Sequence, residues 1–160
     1  MARSSAVIAA AGLAALLIGA AGSASAEDLT YRNERFGTSA TFPHEAFPTA
    51  LPAPTSGDGR AWVSDNGAEL YIYARHNTDG ETPASIIKWR AGDDTVTYAK
   101  HGNSWAVVSG YRDGKIFYER YIFRGDTIHS VAIRYPERLR SRYDDLVGPV
   151  TMTLRGGSSS

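Results

Sequence analysis

The stretch KIFYERYIFR-GD-TIHSVAIR, Lys115 to Arg134, holds two runs dominated by Ile, Phe, Tyr, Val and Thr around a Gly125-Asp126 connection. Residues of these types suit a pleated, packed surface. A two-residue joint containing Gly is short enough to fold one strand back on the other. The segments Thr95 to Lys100 and Ser104 to Arg112 have the same character, so the four runs read as an antiparallel meander. Upstream, Arg60 to Ser64 and Ala68 to Arg75 flank Ser64-Asp65-Asn66-Gly67, whose Asn-Gly pair suits the left-handed positions of a tight turn. In the second of these strands Leu70, Ile72 and Ala74 share one face, and Glu69, Tyr71, Tyr73 and Arg75 share the other. Leu29 to Asn33 and Thr38 to Phe42 make a further hairpin around Arg35-Phe36-Gly37, ended by Pro43.

Two segments have a helical period instead. Thr82-Pro83 is a helix start, with Thr able to cap and Pro free to occupy the first position, and the helix spans residues 83–91. Pro136 opens a second helix over residues 137–147, in which Leu139, Tyr143, Leu146 and Val147 fall on one stripe and Pro149 closes the segment. Thr151 to Leu154 reads as a last short strand. Strands, helix, strands, helix is the order of an α+β domain: a mainly antiparallel sheet with two packed helices.

The N-terminal end has a different composition. Arg3 precedes an apolar run from Ala6 to Ala21, and Ala24-Ser25-Ala26 supplies a small-x-small cleavage site before Glu27-Asp28. Those three regions together are a secretory signal peptide, cleaved after residue 26. The run of 16 residues is shorter than the ~20 needed to cross a hydrocarbon core. Removing 26 of 160 residues leaves 134, enough for one domain with its own core, assigned to residues 27–155, with 156–160 a flexible tail. With Arg3 gone, 16 basic residues face 17 acidic ones, which argues against nucleic acid or an anionic membrane as the main partner. The chain has no Cys, so disulfides, thiolate nucleophiles and thiolate metal sites are excluded. The expected location is periplasmic or secreted, with no stable membrane insertion after cleavage.

One pattern carries a resemblance. A strand, then Phe36-Gly37 leading into alternating Thr38-Ser39-Ala40-Thr41-Phe42 and Pro43, followed by a sheet and a late helix, resembles the start of the PsbP-like fold. That α/β sandwich is shared by the extrinsic photosystem protein and many small exported bacterial proteins. The resemblance implies a protein that acts by docking onto partners, with no catalytic residues to carry over. Nothing in the chain indicates chloroplast targeting, so no photosynthetic role follows.

Motifs that might carry chemistry each have a plainer reading. Ser85-Ile86-Ile87-Lys88 has S-x-x-K spacing, and Ser64-Asp65-Asn66 matches the S-D-N of penicillin-recognising enzymes. Their order is reversed relative to that family and no K-T-G follows, so they read as a capped helix start and a turn. His44, His76, His101 and His129 include no pair at the separation by which one element donates two metal ligands. They read as lone surface residues, a metal site requiring carboxylates such as Asp93 or Asp94 beside them. Asp93-Asp94 and Asp144-Asp145 read as solvated charge. No metal or cofactor is expected.

Two groups of residues suit binding. Arg134, Arg138, Arg140 and Arg142 lie within nine positions at a strand end and helix start, where they oppose the helix dipole and would fit an anionic group. Tyr71 and Tyr73 on one strand face, with Trp62 on the neighbouring strand and Tyr118 and Tyr121 further along, suit protein or saccharide contact. The reading is an exported binding or accessory module with a protein or small anionic ligand as partner. Its alternative is a small hydrolase or metal-dependent enzyme using Ser85 or a His/carboxylate site.

Overall fold

The computed structural model describes residues 27–157; residues 1–26, read above as a signal peptide, and 158–160 lie outside it. Nine strands and two helices follow one another as β1 (Asp28–Arg32), β2 (Ser39–Pro43), β3 (Thr49–Ala50), β4 (Gly59–Val63), β5 (Glu69–His76), α1 (Pro83–Asp93), β6 (Thr95–His101), β7 (Trp105–Arg112), β8 (Lys115–Arg124), β9 (Thr127–Pro136) and α2 (Arg140–Met152). Strands β3 to β9 form one seven-stranded sheet in the order β3-β4-β5-β9-β8-β7-β6, antiparallel throughout, while β1 and β2 pair separately. The Gly125-Asp126 turn joins β8 to β9 as the sequence implies, with Gly125 at φ 56° where a side chain would be strained.

Alternation along β8 and β9 sorts the side chains onto two faces. Ile116 and, from β9, Val131, Ile133 and Tyr135 point to one side, where they pack with Leu70, Ile72, Trp62, the β1-β2 hairpin and α2 residues Tyr143, Val147 and Val150. Phe117 and Tyr121 point to the other, where they meet Ile128, Ala106, Val108 and Ile86 of α1. Tyr143 is wholly buried and its hydroxyl lies 3.1 Å from Asn66 Oδ1 and 3.3 Å from both Ser64 Oγ and Ala46 O, so α2 is anchored on the β4-β5 turn.

Local chemistry explains the helix ends. Thr82 Oγ1 accepts from the Ser85 amide at 3.1 Å and Ser85 Oγ accepts from the Thr82 amide at 2.9 Å, a reciprocal cap with Pro83 at the first position. The second helix differs from expectation: Glu137–Leu139 is a single 3-10 turn, and α2 passes through Pro149 to Met152. Pro149 removes one backbone donor, but Val147, Val150 and Thr151 are buried on either side of it, and Thr151 Oγ1 donates to Val147 O at 2.7 Å. Burial outweighs the proline here, and the strand expected at 151–154 is reduced to one bridge between Arg155 and Ser39.

The chain end is also more engaged than a tail of glycines suggests. A Cβ on Gly156 would lie 2.5 Å from the His129 ring, and one on Gly157 would lie 2.7 Å from Phe36 O. His129, read from the sequence as a surface residue, is wholly buried, with Nδ1 2.7 Å from Thr38 Oγ1 and no acceptor or donor at Nε2 among the described residues. Burial and then the charge of Arg124 lower its pKa below the usual 6.5. The neutral ring is therefore the form that fits, its stability contribution complete above pH 6.5 and lost as pH falls from there towards the folded pKa. Thermal unfolding followed from pH 8 to 5 is expected to show a Tm that is level above about pH 7 and falls below about 6.5, and His129→Gln is expected to flatten that fall. An unchanged slope in the variant would assign it elsewhere.

Candidate functional site

On the α1 face of the sheet lies a belt of paired charges. Glu119 sits mid-strand in β8, and alternation drives it inward beside Phe117 and Tyr121, leaving it 1% exposed. Arg90, one turn from the end of α1, reaches down to it with Nε 2.7 Å from Oε2 and Nη2 2.9 Å from Oε1. The Tyr121 hydroxyl donates to Oε2 at 2.5 Å, and burial together with the Glu119 charge pushes the phenol pKa well up, so it stays a donor. Asp94 ends the helix; its carboxylate takes Arg112 Nε at 2.6 Å and a second Arg112 contact through Nη2, with Arg90 3.9 Å away. Hydrogen bonds from Arg112 hold its carboxyl below the usual range. Asp94 is thus not the solvated acid its sequence suggests: its side chain is 3% exposed.

Arg134 of β9 is the loose member of this belt. Its Nη2 is 3.7 Å from Glu119 Oε1, its guanidinium stands 5.0 Å from the Tyr71 ring centre, and its buried Nε meets no acceptor among the described residues. Arg90 and Tyr121 make the hydrogen bonds to Glu119 and Arg134 Nη2 stands beyond hydrogen-bond distance of it, so Arg134 keeps donors to spare.

Arg134 borders an open area. Helix α1 rests on β6 and β7, so on this face β5 and β9 lack a helix above them. Tyr71 and Tyr73 stand there, half-buried, with ring centres 6.4 Å apart. A cleft of about 220 Å³ opens between Tyr71, Arg134, Arg112, Lys115 and Phe117, with Lys115 held by Glu69 at 2.9 Å. A second, of about 550 Å³, lies between α1 and β5, lined by Trp89, Tyr121, Arg75 and Glu81, with the Trp89 side 54% exposed. Burial and then the Glu69 charge raise the Tyr71 pKa. The arrangement offers cation, ring face and hydroxyl donor to a carboxylate or phosphate, and no nucleophile.

The arginine cluster read from the sequence is divided by the sheet. Arg134 belongs to the α1 face. Arg138 donates to Asn66 O at 3.1 Å, Arg140 to the Tyr111 hydroxyl at 2.6 Å, and Arg142 lies 5.8 Å from the Tyr143 ring centre, all around the start of α2 on the other side. Trp62 is also removed from the candidate surface: it pairs with Leu70, is 3% exposed, and packs edge-on against Tyr31 under the β1-β2 hairpin. Ser85 Oγ is engaged with Thr82 and Lys88 is exposed, so the S-x-x-K spacing is a helix cap. Ser64, Asn66 and Ala68 close their own turn. His44, His76 and His101 are exposed, and among the described residues no group of three or more His, Asp or Glu is placed to hold a metal. Asp144 accepts from the Tyr135 hydroxyl at 2.6 Å, while Asp93 and Asp145 are exposed. The residues missed from the sequence were Glu119, Arg90 and Arg112; Tyr121, grouped there with the other rings, is buried and bonded to Glu119. Glu119 had a signal, as the one acid inside an aromatic strand, on the parity of Phe117 and Tyr121.

No protein-family model matches the chain, nor does any curated protein. Its fold is similar to that of a solved structure, the solution structure of cyanobacterial PsbP (CyanoP) from Synechocystis sp. PCC 6803, with a TM-score of 0.59 and 10% sequence identity over 88% of this chain and 99% of the other. The fold is PsbP-like, an α+β sandwich, as the Phe36-Gly37 to Pro43 pattern implied.

The belt predicts two unlike arginines. Arg90→Met strands a carboxylate whose side chain is 2% exposed and is expected to cost about 3–5 kcal/mol in denaturant unfolding. Arg134→Gln removes a longer, partly solvated contact and is expected to cost under about 1 kcal/mol. Equal losses would contradict the assignment of roles.

Proposed function

We propose that the protein is an exported binding or accessory module that holds an anionic group of a protein partner or small ligand over the open part of the α1 face, at Arg134 and Tyr71. The observation that carries this reading is the spare hydrogen-bonding capacity of Arg134, a cation fixed beside an aromatic ring at the lip of a cleft. Arg and Tyr are the residues most often responsible for binding energy at interfaces, and a planar guanidinium takes a carboxylate or phosphate through two parallel hydrogen bonds. A PsbP-like fold suits an accessory role and contributes no catalytic set of its own. The leader supports action outside the inner membrane, in the periplasm or beyond; among the described residues no helix is long and apolar enough to cross a membrane.

Two measurements test the reading. Intact mass of the protein recovered by osmotic shock is expected to correspond to a chain starting at Glu27; a mass that retains residues 1–26 contradicts export by cleavage. Affinity capture from the same extract is expected to retain a partner with the wild type and to lose it with Arg134→Gln or Tyr71→Ala/Tyr73→Ala, both of which leave the buried pairs intact. A partner held equally by both variants would place the binding surface elsewhere.

A further inference from the structure

A second open area lies diagonally across the sheet. On the α2 face, the hairpin covers β4 and β5 and α2 covers β9 and β8, leaving β6 and β7 without a layer. The register places Tyr98 and Lys100 of β6, Trp105, Val107, Ser109 and Tyr111 of β7, and Tyr118 and Arg120 of β8 on that face. No Asp or Glu stands among these inward positions of the three strands, since Glu119 points the other way. On the α2 side, Asp144 is bonded to Tyr135 and Glu137 is 3.4 Å from Arg140.

The cations here are unpaired. Lys100 Nζ stands 5.7 Å from the Tyr98 ring centre and the Arg120 guanidinium 5.6 Å from that of Trp105, and neither makes an ion pair among the described residues. The buried Arg120 Nε has no acceptor among the described residues. Tyr98 is 45% exposed. A cleft of about 340 Å³ prolongs the surface towards Arg140, lined by Thr97, Ser109, Tyr111 and Tyr118. From Trp105 to Tyr111 the strip is about 20 Å long at ~3.3 Å per residue. Along its side runs β6, the last strand of the sheet, whose outward N–H and C=O groups have no strand beside them among the described residues.

We infer that this face is a docking site for an acidic, extended peptide segment of a protein partner, which adds to β6 as a further strand. Its carboxylates would meet Lys100 on the edge strand, while Arg120, about 10 Å further in on β8, adds to the positive field of the face. Charge selects the segment: cations unpaired on an acid-free face favour carboxylates and repel basic chains. The free edge of β6 selects its conformation, because only an extended backbone satisfies a row of edge amides and carbonyls. The surface shares no residue with the Arg134–Tyr71 cleft and stands or falls independently of it.

The test is an amide NMR titration of the whole protein with a synthetic peptide of about nine residues alternating Glu and Val, and in parallel with polygalacturonate and with the peptide carrying Lys for Glu. The expected result is that amides of residues 97–101 shift with the Glu peptide alone and gain protection from exchange. Affinity is expected to fall roughly tenfold in Lys100→Glu, an exposed position that leaves folding unaffected, and to change far less in Arg120→Gln, two strands in from the edge. No shift in β6 up to about 1 mM peptide, equal binding of the Lys peptide, binding unchanged in Lys100→Glu, or a response to polygalacturonate alone would each overturn it.

Discussion

A carboxylate in the middle of a seven-stranded sheet has to be neutralised where it lies. Glu119 is that carboxylate, and taking it out of water costs several kcal/mol unless it is paired and hydrogen-bonded. Arg90 supplies the charge and Tyr121 the neutral donor, both with short contacts. Meeting Glu119 fixes the last turn of α1 over β8, which puts Asp94 at the helix end where Arg112 can take it. Apolar burial of Ile86 against Ala106 and Val108 would hold a helix on this face; the ion pairs set its position along the strands.

The two open areas follow from dimensions. Seven strands at ~4.8 Å spacing make a sheet about 29 Å wide, whereas a helix with its side chains is about 10–12 Å across. One helix covers two or three strands. With α1 over β6 and β7 on one side and α2 over β8 and β9 on the other, opposite quarters are left uncovered: β5 and β9 above, β6 and β7 below. Both carry aromatic rings with cations standing beside them, Arg134 by Tyr71 in one and Arg120 by Trp105 in the other. Rings and guanidinium stems shield the sheet where no helix does, and they keep polar ends available at the surface.

Much of the fold was legible in local chemistry. Hairpins at Ser64 to Gly67 and Gly125-Asp126, the Thr82-Pro83 start of α1 and the α+β class each rest on a turn or cap whose cause lies within a few residues. Pro149 misled because its local preference to end a helix was overridden by burial of Val147 and Val150 against the sheet. The candidate site was harder. Tyr71 and Tyr73 were placed on a common face by alternation, but Trp62 pairs with Leu70 and so carries the opposite parity, which follows only once the register of β4 on β5 is known. Four arginines near in sequence were divided between the two faces because Arg134 is on a strand and the others on or beside α2. Glu119 stands out as an acid inside an aromatic strand, but its partner Arg90 and the Arg112–Asp94 pair come from separate elements that local pattern does not connect to it.

Around Glu119 and Asp94, Arg90 and Arg112 hold the fold and Arg134 is spare, and side-chain NMR of the guanidinium Nε–H groups reads that division directly. With acetate added to the folded protein, the Arg134 Nε–H resonance is expected to move progressively as the carboxylate binds, while those of Arg90 and Arg112, already committed to Glu119 and Asp94, stay in place. An Arg134 resonance as unresponsive as that of Arg90 would contradict the central claim.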